Sequence, residues 1–183
     1  MREELIQLLE LSGRDATTLG IAGRVPADIP LIVHERYTRD EILAAIGEVG
    51  PGRSSAWREG VRYAKELRTD LFALTLEKSE RRFTPSTMYR DYALSPTLFH
   101  WESQSTTSAD SPTGQRYRNH VAMGASVWLF VRESNERGGI TLPFLFAGSA
   151  TYASHTGSRP MAITWQLDHP LPADLYLLAR AAV

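Results

Sequence analysis

The sequence predicts an α+β domain in which flanking helices cover a small, strongly curved or barrel-like, mostly antiparallel sheet. Three observations carry that expectation. Helix signals stand near the two ends of the chain and strand signals fill the middle. The strand signals are short and separated by Gly and Pro, the spacing of a bent sheet. One of them, SVWLFVR at 126–132, is apolar without interruption, as expected of a central strand covered on both faces.

Residues 2–12 place Leu5, Leu8 and Leu9 on one helical face, with Gly13 just past the end. Residues 13–30 are rich in Gly, Thr and Pro. They read as a connector, so a helical lead-in over 1–30 precedes a single domain over 31–183. Thr38-Arg39-Asp40-Glu41 is a capping box, in which the Thr38 hydroxyl accepts from the Glu41 amide and the Glu41 carboxylate reaches back. It opens a helix with Ile42, Leu43 and Ile46 inward and Gly47 or Gly50 as its stop. Residues 51–69 fit a helix or a hairpin. The hairpin is preferred because 70–78 alternates Phe72, Leu74 and Leu76 with Ala73, Thr75 and Glu77.

Residues 98–104 read as a strand with Phe99 and Trp101 on one face and His100 and Glu102 on the other. A loop leads to a short helix over 113–123, which Gly124 stops. After the apolar strand at 126–132 come a turn at 134–139 and a short strand at 143–146 ending at Gly148. Residues 151–159 read as a polar loop, with room for a short strand at its start. Residues 162–167 form an alternating strand, Pro170 and Pro172 break it, and 174–182 close the chain as an amphipathic helix.

The 183 residues suit one domain with a small appendage. No run is apolar enough to cross a bilayer, and acidic residues among the first leucines argue against a secretory signal, so a cytoplasmic location is expected. The chain has no cysteine, which excludes disulfides and thiolate metal sites. The net charge of −1 gives no strong basic field. Lys and Arg exceed Asp and Glu only in 51–120, the better anion-facing region.

That region holds the densest chemistry, YRDYALSPTLFHWESQSTTSADSPTGQRYRNH from Tyr89 to His120. Planar rings alternate there with hydrogen-bonding side chains, as in a pocket that stacks a flat ligand and reads its edge. Tyr89, Tyr92 and Trp101 are the candidates to stack a base, and Asp91, Ser95 and Gln104 to read it. Arg116, His120, His155 and Arg159 are the candidates for phosphate contact. The competing reading makes Phe99 and Trp101 core and Asp91 a turn residue. His100 and Glu102 with His120 or His155 form only a thin metal-ligand set, so no metal or cofactor is expected. Serines with His155 and Asp91 make a triad by chance alone, since no nucleophile elbow is present. Ser111-Pro112-Thr113-Gly114 opens a helix whose free amides suit either a phosphate or ordinary capping.

The segments HERYTRDEILAAIG, TLEKSE, the Tyr89–His120 stretch, LFVRE and SHTGSRPMAITWQL together resemble one bacterial domain family of unknown function, from about Leu31 to Pro172. That family typically follows a superfamily II helicase, often with a phospholipase-D-like nuclease domain in front. The strand-rich middle is similar to the PUA-like barrel group, SRA-like readers of modified bases included. The chain carries no Walker A, helicase or phospholipase-D-like motif, so no ATPase, helicase or nuclease activity carries over from the resemblance. It implies a DNA-binding module that recognises modified or flipped bases and directs a helicase or nuclease in restriction or phage defence. The alternative is a protein-interaction module of such a complex that does not touch nucleic acid.

Overall fold

A computed structural model of the chain describes residues 25–49, 57–76 and 91–181. The expected helix at 2–12, most of the connector and the charged loop at 78–82 lie outside the described residues. Among the described residues ten strands and three helices follow in order. They are β1 (Arg36–Tyr37), α1 (Arg39–Ala45), β2 (Val61–Ala64), β3 (Thr69–Thr75), β4 (Tyr92–Ser95) and β5 (Leu98–Glu102), then α2 (Pro112–Asn119), β6 (Ser126–Arg132), β7 (Glu136–Arg137), β8 (Ile140–Thr141), β9 (Phe144–Thr156), β10 (Ala162–Leu167) and α3 (Ala173–Ala181). Among the described residues no helix is long and apolar enough to cross a membrane.

Several local expectations hold. The Thr38 hydroxyl accepts from the Glu41 amide at 3.3 Å and the Glu41 carboxylate accepts from the Thr38 amide at 2.7 Å, the two halves of the capping box. The helix ends at Gly47, whose amide donates to the Ala44 carbonyl while that of Glu48 donates to Leu43. Gly47 has φ +76°, the left-handed cap that suits glycine. β2 and β3 form the preferred hairpin. β6 is buried along nearly its whole length.

The sheet corrects the expected architecture. Eight strands join in one open, mixed sheet in the order β2-β3-β6-β9-β10-β5-β4, with β1 added beside β9. Its terminal strands β2 and β4 do not pair with each other, so no barrel closes. β3 and β6 pair in parallel, which needs a long crossover, and β4, β5 and α2 all lie within it. The protein is therefore mostly sheet, large and open. The α+β domain built on a small, strongly curved or barrel-like sheet is not what forms.

The error has a physical source in β9. Gly148 reads as a strand end, and the polar residues after it read as a loop. In the structure Gly148 has φ +91° inside a continuous 13-residue strand. There the register against β6 slips by one residue, with Leu129 opposite Gly148 and Phe130 opposite Phe146. The glycine marks a bulge, not a stop. A second bulge lies opposite the Thr164/Trp165 step of β10.

β9 joins the two halves of the sheet. Its first part pairs with β6 and its second with β10. The inner faces of both halves share one core with Tyr117 of α2 and Leu175 of α3. The Phe72 ring lies 4.4 Å from that of Trp101 and 5.5 Å from that of Trp165. On the opposite face of β3, β6 and β9, Ile42 and Leu43 of α1 cover Leu71, Trp128, Phe130 and Phe146.

Candidate functional site

The predicted base pocket does not assemble. Tyr92 pairs with His100 in the β4–β5 ladder, and paired residues share a face. Their rings stack on the outer face with centroids 4.5 Å apart and planes inclined by 29°. Trp101 is the next residue along β5, so it points the other way. It is 4% exposed in the core, packed edge-on against Tyr117. Tyr92 and Trp101 therefore stand on opposite faces of one hairpin and cannot grip one ring. Asp91 is buried and accepts from the Glu102 amide at 3.4 Å. Ser95 accepts from the amides of Thr97 and Leu98 and so shapes the β4–β5 turn. Gln104 is exposed and donates to the Glu59 carboxylate at 3.2 Å. Tyr89 lies outside the described residues.

The four predicted phosphate contacts divide as well. Arg116 donates from Nε and Nη2 to the fully buried Asp70 carboxylate and lies 4.1 Å over the Tyr63 ring. Burial pushes the Asp70 carboxyl up, and the Arg116 guanidinium pulls it back. Arg159 is exposed, at φ +73° before a cis proline, in a turn whose Ser158 hydroxyl accepts from the Ala109 amide at 3.2 Å. The start of α2 is self-capped, because the Gly114 amide donates to the Ser111 hydroxyl at 3.1 Å.

His120 lines a cleft, and His155 is bonded to Tyr152, another residue of the same lining. The cleft, of about 330 Å³, opens between the end of α2 and β9, lined by Arg118, Asn119, His120, Val121, Ala122, Thr151 and Tyr152. That volume is at the small end for ligand sites. The β9 bulge builds one wall. Tyr152 faces Trp165 and His155 faces Ile163, so two side chains three residues apart point inward together. Tyr152 Oη and His155 Nδ1 share a hydrogen bond of 2.6 Å. The opposite wall follows from α2, which Tyr117 and Arg116 lock onto the sheet.

His120 forms the floor. It is 1% exposed, with its ring 5.7 Å from that of Trp165. Its Nδ1 donates to the Tyr117 carbonyl at 2.9 Å, while its buried Nε2 has no partner among the described residues. Leaving a buried polar atom unpaired costs about 1–3 kcal/mol. At the rim, Arg118 is half-buried and forms no ion pair among the described residues. Asn119 donates its amide to Gln115. Val121 and Met123 are exposed at 44% and 45% beside it. Sequence reasoning missed Tyr152 and Arg118. Tyr152 stood in an apparent loop, and its pairing with His155 depends on a bulge that no residue announces.

The dispersal of the histidines also separates the thin metal-ligand set. His100 and Glu102 belong to the outer face and His120 to the inner core, and among the described residues no three such side chains converge.

Fold and site together define a mostly-sheet domain with a helix-walled cleft. Residues 31–178 match the family described as Domain of unknown function (DUF3427), and the chain belongs to that family. A comparison with curated proteins gave no match.

Proposed function

We propose that this domain is a DNA-binding module and that the α2–β9 cleft accepts a single flipped or unpaired base, modified bases included. The observation that carries the reading is the cleft itself. Its lining brings together an aromatic ring, Tyr152, a buried imidazole, His120, whose Nε2 has no partner among the described residues, and a cation, Arg118. A ring on one side, an edge-reading atom at depth and a cation outside are the elements of flipped-base recognition. The exposed Val121 and Met123 suit the apolar side chains that enter a base step as one base leaves it. The resemblance to a family that accompanies helicases and nucleases supports the same direction. On this reading the domain works in the cytoplasm and directs such an enzyme in restriction or phage defence.

The test is a fluorescence titration against matched duplexes that are unmodified, 5-methylcytosine-containing, 5-hydroxymethylated or glucosylated, each at two salt concentrations. Binding should weaken as salt rises, because phosphate contact releases counterions. Tyr152→Ala should lose the stacking contribution of about 1–3 kcal/mol. No binding of any duplex at either salt would refute the reading.

One feature favours a second reading, an interaction module without nucleic acid. Leu177 and Leu178 of α3 are exposed at 59% and 42%. A mostly apolar contact there would respond weakly to salt, which the same titration against a helicase or nuclease partner distinguishes.

A further inference from the structure

We infer that the cleft floor is a hydrogen-bond acceptor, so the cleft selects bases that present an amino group. The inference rests on the proposed DNA-binding reading and adds the chemistry of the ligand. A backbone carbonyl can only accept. The Tyr117 carbonyl, 2.9 Å from His120 Nδ1, therefore assigns the ring proton to Nδ1. In the neutral ring Nε2 is then a bare lone pair, on the ring edge away from α2.

That lone pair is buried and, among the described residues, unpartnered, in a residue that lines the cleft. Among the described residues no protein donor meets it. A donor must come from the ligand, and the exocyclic amines of cytosine and adenine supply one. Thymine, with a carbonyl at the matching position, would set two acceptors against each other. Because Nε2 is almost sealed, the ligand reaches it only if a neighbouring side chain turns aside. Side-chain rotation of this kind is common when interfaces form.

The test uses the full chain and duplexes with one unpaired central base. Cytosine is compared with pyrimidin-2-one, and adenine with unsubstituted purine; each replacement deletes only the amine. Deleting the amine should weaken binding at least about tenfold, or roughly 1.4 kcal/mol. His120→Phe, which keeps a ring but no acceptor, should bind both members of each pair alike. Equal affinity of the unaltered protein for both members would overturn the acceptor assignment and leave DNA binding standing. Failure to bind any of the four would overturn the DNA reading, and this inference with it. The base-side comparison needs no protein variant, so a His120→Phe protein that fails to fold does not blunt it.

Discussion

Arg116 meets Asp70 as a two-point fork, with Nε donating to Oδ2 at 2.7 Å and Nη2 to Oδ1 at 2.9 Å. Asp70 is fully buried on β3 and Arg116 belongs to α2, so the pair fixes the helix that walls the cleft. Planar two-point pairing is the strongest geometry open to these groups. A residue that looked like a free phosphate contact in the sequence is thus a structural cation.

Removing one partner of this pair should be costly. Asp70→Ala is expected to lower stability by about 3–5 kcal/mol, because the guanidinium is left half-buried without its carboxylate. Urea unfolding of Asp70→Ala, Arg116→Ala and the double variant checks this. The double variant should be more stable than the sum of the two losses allows.

Gly114 has no room for a side chain. A Cβ there would stand 2.0 Å from the Ser108 carbonyl oxygen and 2.9 Å from that of Ala109, both backbone atoms. Gly114→Ala should therefore displace the start of α2 and cost about 1–3 kcal/mol or more. Ser111→Ala, which removes the cap and the hydroxyl's bond to the Ser108 carbonyl, should cost about 1 kcal/mol. Thermal unfolding should rank the two in that order.

Trp101 and Tyr92 should part company on mutation. Trp101→Ala empties a site between Phe72 and Tyr117 and should cost about 3–5 kcal/mol of stability. The folded fraction should keep its DNA affinity, since Trp101 does not line the cleft. Tyr92→Ala should cost much less, as its ring lies half-exposed on His100. Unfolding curves and binding titrations on the same samples separate the effects.

His100 should give the fold a mild acid sensitivity. Burial holds its ring below the ordinary 6.5, with the Glu102 carboxylate partly offsetting the shift. The unfolded chain then binds more protons than the folded one, so stability rises with pH across that window. The contribution is complete above 6.5 and is lost as pH falls toward the lowered folded value. His100→Gln should flatten the dependence of urea midpoint on pH over this range.

Local signals were legible where one interaction decides the conformation. The Thr38 capping box, the β2–β3 hairpin and the doubly covered β6 follow from side chains close in sequence. The face assignment in β5 was also legible, because its alternation is unbroken. What it meant was not: one face of β5 faces a core that β3, β6 and β10 complete from far along the chain. Alternation alone cannot say which face is buried. β9 was illegible for a different reason. Its two bulges break the period of two, and Gly148 imitates a terminus. The cleft inherits that difficulty, since Tyr152 and His155 share a face only through the second bulge.

The most direct measurement is a nuclear magnetic resonance titration of isotope-labelled protein with a short DNA duplex carrying one unpaired cytosine. Amide shifts should cluster at 118–122 and 151–155, with smaller changes near Met123 and none centred on Tyr92, His100 or α3. Shifts centred on the Tyr92–His100 face or on Leu177 and Leu178, with the cleft silent, would contradict the assignment of the cleft as the binding site.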